Sequence, residues 1–287
     1  MKRIKVGIQG VKGAFHEIAA RKFFEQPIEI VECYSFQDEI NHLNSGKIDY
    51  ALMAIENTVA GTLLPNYKLI QNNPVKIVGE EYLRVKQNLV ALPGQKVSEI
   101  REVHSHYMAI EQCREFLKTL EDVKLVEASD TAQSAREIAT ARIKNRAGIA
   151  SDLAAEIYGL EILEAEIETN KKNFTRFLVL TQEETKVKLD TITKASLCFS
   201  VAHEKGNLSM VLSLMSSFDM NLTKIQSLPI LGKEFQYLFF VDVTFEDYHR
   251  FEETIWSLEP IVNDLQIFGE YEHSIATLEE VHQQEVL

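Results

Sequence analysis

The sequence predicts an α/β protein built in two parts, and three features carry that expectation. Up to residue 180, short apolar runs alternate with segments of helical spacing, the pattern of helices layered on mostly parallel sheets. From Thr181 to Asp190 the chain turns polar and charged, as a linker does. Beyond it, the order strand, helix, strand, strand, helix, strand is the split βαββαβ unit of ferredoxin-like domains.

Taken in order, Ile4 to Gln9 reads as a strand running into the turn Gly10-Val11-Lys12-Gly13. The next helix has Ile18, Ala19 and Phe23 on one face, and Ile28 to Cys33 is a second strand. Phe36 to Leu43 is helical, with Gly46 just past its end. Tyr50 to Ile55 is a buried strand ending at Glu56-Asn57, and Val75 to Tyr82 and Gln87 to Leu92 are further strands. Helical spacing of Ile110, Cys113, Leu117 and Leu120 predicts a helix over 106–120, with Ser105 as its N-cap. Asp130-Thr131-Ala132-Gln133 reads as a capping box opening a helix to Ile143. Ala147 to Ala150 is a short strand, and a helix from Ser151 stops at Gly159. In the second part the strands are Ala195–Ala202, Leu222–Gln226, Tyr237–Phe245 and Asp264–Phe268, and the helices Asn207–Phe218 and Tyr248–Leu258. The tail from Glu272 is polar.

Bulk properties narrow the function. At 287 residues the chain can bury a large core without staples. Its 45% hydrophobic and 25% charged residues are those of a soluble globular protein. The apolar part of MKRIKVGIQG is too short for a signal peptide, and no apolar run could span a bilayer. Cys33, Cys113 and Cys198 lack metal-ligand spacing and fit reduced, buried thiols, so a cytoplasmic location is expected. A net charge of −13 argues against nucleic acid or an anionic membrane as partner. An anionic substrate must then be held by local cations and backbone amides.

Four polar segments fall where strands end and helices begin, which is where open α/β sheets collect ligands. The first is Gly10 to His16, whose glycines permit a tight turn before a helix N-terminus able to receive an anion. With Gly7 it reads G-x-x-G-x-x-G, so a dinucleotide site has little support. The second, Glu56-Asn57-Thr58 with Gly61-Thr62, sets a carboxylate beside an amide that can orient a hydroxyl or bind a carboxylate. The third is His104-Ser105-His106 with Gln112, whose histidines lack metal-site spacing. The fourth, Asn173-Phe174-Thr175-Arg176-Phe177, places a hydroxyl donor beside a guanidinium fork suited to a carboxylate. Strand alternation would send Thr175 and Arg176 to opposite faces, although a residue at the mouth of a strand is freer than that. Hydrogen-bond donors, amides and one cation, with no metal or cofactor motif, suit a small polyanion and an acid-assisted elimination.

In this order the four segments resemble the prephenate dehydratase family, as does Ala147-Gly148-Ile149-Ala150-Ser151 through Tyr158-Gly159-Leu160. The resemblance covers about residues 3 to 271. It implies a catalytic domain over 1–184 made of two periplasmic-binding-protein-like (type II) lobes with a cleft between them. It also implies an ACT regulatory domain over 194–271 and a polar tail over 272–287. Prephenate would be converted to phenylpyruvate for phenylalanine biosynthesis, without cofactor, in a homodimer or homotetramer regulated by L-phenylalanine. By the same resemblance Thr175, Asn57, Ser105, Gln112 and Glu56 are catalytic, with Thr175 assisting the leaving hydroxyl. Arg176, Phe177, Asn173, Thr58, His106, Gly13 and Ala14 would bind substrate, Arg176 through a carboxylate. Gly206, Asn207, Leu208, Gln226 and Ser227 would bind the effector.

The chain departs from the family pattern at Val11, His16, His104 and Tyr107, and more so at Asn207, Gln226 and Leu228 of the regulatory segments. Two other readings use the same cleft: an arogenate dehydratase, and a non-catalytic sensor of amino or keto acids. A nicotinamide dehydrogenase would rest on the glycine turn alone.

Overall fold

A computed structural model of the chain describes residues 3–183 and 189–274. Spatially they divide into two compact units, one of residues 3–66 and 81–178, the other of 67–80 together with the described residues from 179 onward.

The first unit holds two α/β lobes. Its first lobe begins β1 (Ile4–Gln9), α1 (Phe15–Phe24), β2 (Ile28–Cys33), α2 (Phe36–Asn44), β3 (Tyr50–Asn57) and a short β4 (Gly61–Thr62). β1 lies between β2 and β3, parallel to both, while β4 turns back against β3. α3 (Leu64–Gln71) and β5 (Lys76–Arg84) lead on to the second lobe. That lobe has β6 (Asn88–Ala91), β7 (Glu102–His106), α4 (Tyr107–Gln112), α5 (Arg114–Leu117), β8 (Lys124–Ala128), α6 (Thr131–Ala141), β9 (Arg146–Ala150), α7 (Asp152–Tyr158) and β10 (Glu161–Glu164). Its sheet order is β10-β6-β9-β7-β8, with β7 parallel to β8 and β9, and its core gathers Leu89, Val103, Ile110, Cys113 and Ile149. The chain returns through β11 (Phe174–Thr181), which completes the first sheet in the order β2-β1-β3-β11-β5.

Two segments cross between the lobes, and they are bonded to one another. Val85 N donates to Asn173 O at 2.7 Å, Ile167 N to Gln87 O at 2.7 Å, and Gln87 N to Glu168 Oε2 at 3.0 Å. The lobes also meet at the glycine turn. Ser151 Oγ, which caps α7, donates to Gly13 O at 2.6 Å, and Tyr158 Oη donates to Lys12 O at 2.7 Å. Gly13 has φ 88°, and a Cβ there would stand 2.7 Å from Ala154 Cα. Only glycine gives both the backbone angle and this approach.

The second unit contains β12 (Lys194–Ser200), α8 (Asn207–Ser217), β13 (Asn221–Pro229), β14 (Tyr237–Thr244), α9 (Tyr248–Leu258) and β15 (Asn263–Tyr271). The sheet order β13-β14-β12-β15, antiparallel throughout, is the ferredoxin-like arrangement expected from the sequence. Its helices bring Val211, Met215 and Phe251 into one core with Leu197 and Phe199 of β12.

Residues 67–80, which the sequence reading includes in the domain over 1–184, group spatially with the second unit. Tyr67 packs its ring on Phe240 at 4.9 Å, and Lys194 Nζ donates to both Glu80 oxygens at 2.8 Å with both side chains fully buried. Gly269 lies so near the backbone that a Cβ would be 2.0 Å from Ile77 O. Tertiary packing thus draws this stretch away from the domain in which the sequence places it. The expected domain end at 184, most of the linker and most of the 272–287 tail lie outside the described residues.

Among the predicted helices, 106–120 is the main correction. It divides at Cys113 into α4 and α5 and ends at Leu117. Ser105 lies in β7, and the cap is His106, whose Nδ1 accepts from Met108 N at 3.2 Å. α6 stops at Ala141, two residues before Ile143. Asp130 caps it by accepting from Gln133 N at 2.8 Å, while the Gln133 side chain donates to Glu137, so the reciprocal half of the box is absent from the described hydrogen bonds.

Candidate active site

A cavity of about 530 Å³ opens between the two lobes of the first unit. The first lobe lends it Gln9, Ala14 to His16, Tyr34 to Phe36, Asn57, Thr175 and Phe177, and the second lends His106, Met108, Gln112 and Ser129 to Thr131. Val85 and Gln87, on one crossing segment, form part of the wall.

Its polar wall is a chain of fixed amides. Asn57 Oδ1 accepts from Val59 N at 2.9 Å and from Ala60 N at 2.7 Å, which settles the orientation of the side chain. Asn57 Nδ2 must then face β11, where it donates to Asn173 Oδ1 at 2.7 Å and Thr175 Oγ1 at 2.9 Å. Asn173 Nδ2 donates to Gln112 Oε1 at 2.9 Å, and Gln87 Nε2 donates to the same oxygen at 3.3 Å. With its oxygen so engaged, Gln112 has the NH₂ end to donate into the cavity. Thr175 accepts from Asn57, so its own hydroxyl proton is left to point elsewhere. The arrangement presents hydrogen-bond donors around a site walled by Phe36 and Phe177.

Strand alternation holds through β11. Thr175 and Phe177 line the cavity, and Arg176 lies on the opposite face, 2% exposed. Its Nη1 donates to Glu56 Oε1 at 3.2 Å, and the guanidinium carbon stands 5.9 Å from the centre of the Tyr82 ring. Neither Arg176 nor Glu56 is among the residues lining the cavity. The expectation set Arg176 and Glu56 beside the substrate; β11 is regular from its first residues, and its alternation turns Arg176 to Glu56 on the face away from the cavity.

Other expected site residues also serve from outside the cavity wall. Ser105 is fully buried in β7 and donates to Ile149 O at 2.8 Å, a bond between strands. Thr58 Oγ1 donates to Lys172 O at 2.7 Å and accepts from Phe174 N at 2.9 Å, clamping β11 to the end of β3. Asn173 is buried and joins Asn57 to Gln112, and Gly13 fits the lobes together. Ala14, Asn57, His106, Gln112, Thr175 and Phe177 do reach the cavity. In the second unit, Gly206 to Leu208 open α8, and Gln226 and Ser227 lie in the edge strand β13.

Among the described residues lining the cavity there is no lysine or arginine. Positive potential comes instead from helix N-termini. α1 begins at Ala14 with no side chain capping it; Glu17 N donates to Ala14 O at 2.9 Å, which leaves the amides of Phe15 and His16 to receive a carboxylate. α2 and α6 also start at the cavity, capped by Ser35 and Asp130.

Two titratable groups in the wall have displaced pKa values. Burial lowers His16 from 6.5 to about 4, so its imidazole is neutral, and its Nε2 is buried without a hydrogen-bond partner. Burial raises the Asp130 carboxyl from its ordinary value, against the amides at the start of α6 and the nearby His106, which lower it. Gln87, Ser129 and Asp130 escaped the sequence reading of the site. β8 went unread because its exposed-facing residues break the apolar run, and that strand would have put Ser129-Asp130 at a carboxyl end facing a helix start.

The prephenate dehydratase family pattern matches residues 6–185, which spans every residue of the cavity wall. Arogenate dehydratase/prephenate dehydratase 2 of Arabidopsis thaliana is 34% identical over 281 residues, covering 94% of this chain and 73% of that protein. Among solved structures, GqqA, described as a quorum-quenching acylase, superposes with a TM-score of 0.85 at 27% identity over 94% of this chain and 98% of that one. Prephenate dehydratase of Arthrobacter aurescens, in complex with L-Phe, superposes with a TM-score of 0.82 at 25% identity, covering 94% and 90%. With more than half its length matched by the family pattern and a relative above 30% identity along nearly all of it, this chain belongs to the prephenate dehydratase family.

Proposed function

We propose that the cavity catalyses the decarboxylating dehydration of prephenate to phenylpyruvate. The observation that carries the reading is the Asn173–Asn57–Thr175 array in a site rich in donors and helix N-termini. Prephenate carries a hydroxyl at C4 of its ring and, at C1, a carboxylate and a three-carbon keto-acid side chain. As the C1–carboxylate bond breaks, its electron pair enters the ring and expels the C4 hydroxyl. One proton taken up by that hydroxyl gives water, carbon dioxide and phenylpyruvate.

Aromatisation drives the step, so the protein's tasks are positioning and leaving-group stabilisation. Thr175 Oγ1, oriented by the bond it accepts from Asn57, donates a hydrogen bond to the departing hydroxyl. A threonine hydroxyl is a weak acid, and stabilisation of the developing hydroxide is the role suited to it. Asn57 fixes that hydroxyl, Gln112 offers a further donor, and Phe177 forms the wall for the ring. The first amides of α1 receive a carboxylate.

An acylase chemistry, as in the name of one structural relative, needs a nucleophile with a base beside it. The described hydrogen-bond partner of Thr175 is the NH₂ of Asn57, a donor, which favours the dehydratase role. The discriminating assay follows phenylpyruvate formation from prephenate without added metal or cofactor. Formation at an enzymatic rate supports the proposal, and acyl-amide hydrolysis with no phenylpyruvate rejects it.

The βαββαβ unit over 194–271 is assigned as an ACT-type regulatory domain that binds an aromatic amino acid at a subunit interface of a homodimer or homotetramer. Its supports are the ferredoxin-like topology and the L-Phe named with the Arthrobacter relative. Gly206, Asn207, Leu208, Gln226 and Ser227 are the proposed contacts. Calorimetry giving no heat with phenylalanine, tyrosine or tryptophan rejects that assignment. A cytoplasmic location is proposed as well, and among the described residues no helix is long and apolar enough to cross a membrane.

A further inference from the structure

The amide chain in the cavity wall has a direction, and it is set at one end. Asn57 Oδ1 takes two backbone amides, so each following group is fixed in turn. Asn57 donates to Asn173, Asn173 donates to Gln112 Oε1, and Gln87 Nε2 donates to that same oxygen. At Gln87 the chain stops. Turned over, its amide would set oxygen against the oxygen of Gln112, so Nε2 faces Gln112 and Oε1 faces away. That oxygen is buried and has no hydrogen-bond partner among the described residues.

The rest of Gln87 is held firmly. Its backbone N donates to Glu168 Oε2 at 3.0 Å, its carbonyl accepts from Ile167 N at 2.7 Å, and the residue is 3% exposed. An acceptor buried without a donor is costly and uncommon. In a residue that lines a cavity, such an atom points to a ligand that brings the donor.

The chemistry of the substrate identifies that donor. The two carboxylates and the keto group of prephenate only accept hydrogen bonds, and its C4 hydroxyl is the one group that donates. Along the same chain, Thr175 and the NH₂ of Gln112 are left to donate into the cavity. A hydroxyl that accepts from those two and donates to Gln87 has its bonding complete. Gln87 Oε1 is closed to solvent in the free protein, and side-chain adjustment of the kind common on binding brings the two together.

We propose that Gln87 positions the leaving group: its Oε1 accepts the hydrogen bond of the C4 hydroxyl and so turns a lone pair of that oxygen toward Thr175. The inference rests on the dehydratase reading of the cavity. It makes the site selective for a free hydroxyl, because a ring lacking one leaves a buried acceptor unpaired, and sites built to bond a hydroxyl reject the analogue without it. The bond exists already in the bound substrate, so its loss appears in KM, whereas loss of the Thr175 hydroxyl appears in kcat.

The test measures two competitive inhibitors of phenylpyruvate formation, cis-4-hydroxycyclohexanecarboxylate and cyclohexanecarboxylate, on wild type, Gln87→Met and Gln87→Asn. Methionine keeps the length of the side chain and removes the oxygen, while asparagine keeps the amide and withdraws it by one carbon. Gln112 retains its bond from Asn173 in both, and residual turnover of prephenate reports that the fold survives. Wild type is expected to bind the hydroxylated inhibitor about tenfold more tightly than the other, and each variant to lose most of that preference. KM for prephenate is expected to rise about tenfold, with kcat within about threefold. A preference for the hydroxyl that is absent in wild type, or equal in all three proteins, overturns the proposal, as does equal weakening of both inhibitors. Wild type that forms no phenylpyruvate overturns the dehydratase reading first, and this inference with it.

Discussion

Thr175→Val removes one hydroxyl and keeps the branched shape of the side chain, so it isolates what that oxygen does. In the folded protein the loss is small. Asn57 Nδ2 keeps its bond to Asn173 at 2.7 Å and loses only the one at 2.9 Å to Thr175. A typical hydrogen bond contributes about 0.5–1.5 kcal/mol, so stability should fall by about 1 kcal/mol. At the transition state the loss is larger, because the hydroxyl faces a leaving group that gains nearly a full charge. Removal of one such donor costs about 2.7–4 kcal/mol, or about 10²- to 10³-fold in kcat. KM should change by much less, since the ground-state hydroxyl is neutral. Steady-state phenylpyruvate formation from prephenate, with urea unfolding in parallel, reads both quantities. Thr175→Ser, which restores the oxygen, should recover most of the rate. A Val variant within about threefold of wild-type kcat would remove Thr175 from the mechanism.

Three further outcomes follow from the surroundings of the cavity. Arg176→Met leaves Glu56 without that cation. A broken buried pair costs about 3–5 kcal/mol, and the 30% exposure of the Glu56 side chain reduces the expectation to about 2 kcal/mol in urea unfolding, with KM for prephenate little altered. A large KM rise at unchanged stability would return Arg176 to the substrate. Gly13→Ala meets both a φ of 88° and the backbone of Ala154, so it should lower stability by about 2 kcal/mol or more and raise KM as the lobes part; wild-type values of both would show that the turn yields freely. His16 has a folded pKa near 4 against 6.5 before burial, so the unfolded chain binds its proton first. Stability from the neutral imidazole is full above about pH 6.5 and is lost as pH falls toward 4, by about 3 kcal/mol in all. The stability difference between wild type and His16→Phe should therefore shift by that amount between pH 7 and pH 4, and a constant difference would contradict the buried neutral state.

The sequence carried more of the fold than of the site's geometry. Elements with strong periodicity came through, including the start of α1 after the glycine turn, α7 with its stop at Gly159, and the whole βαββαβ order. Residues 67–80 did not, because the packing of Tyr67 on Phe240 and the Lys194–Glu80 pair are long-range facts that no local pattern records. Within the site, the segments were legible and the direction of each side chain was less so. Thr175 and Asn57, both singled out from the sequence, meet across more than a hundred residues. Arg176 was misplaced because a cation beside a hydroxyl invites a shared ligand, whereas alternation in a regular strand separates the two. Ser105 was misplaced because a serine before a helix usually caps it, and here β7 runs one residue further and leaves the cap to His106.

The role of Thr175 in the dehydration is read most directly by measuring phenylpyruvate and carbon dioxide released from prephenate by the purified protein and by its Thr175→Val variant. Wild type should release the two products one for one, and the variant should release both about 10²-fold or more slowly. Release of neither product by wild type, or equal rates for the two proteins, would contradict it.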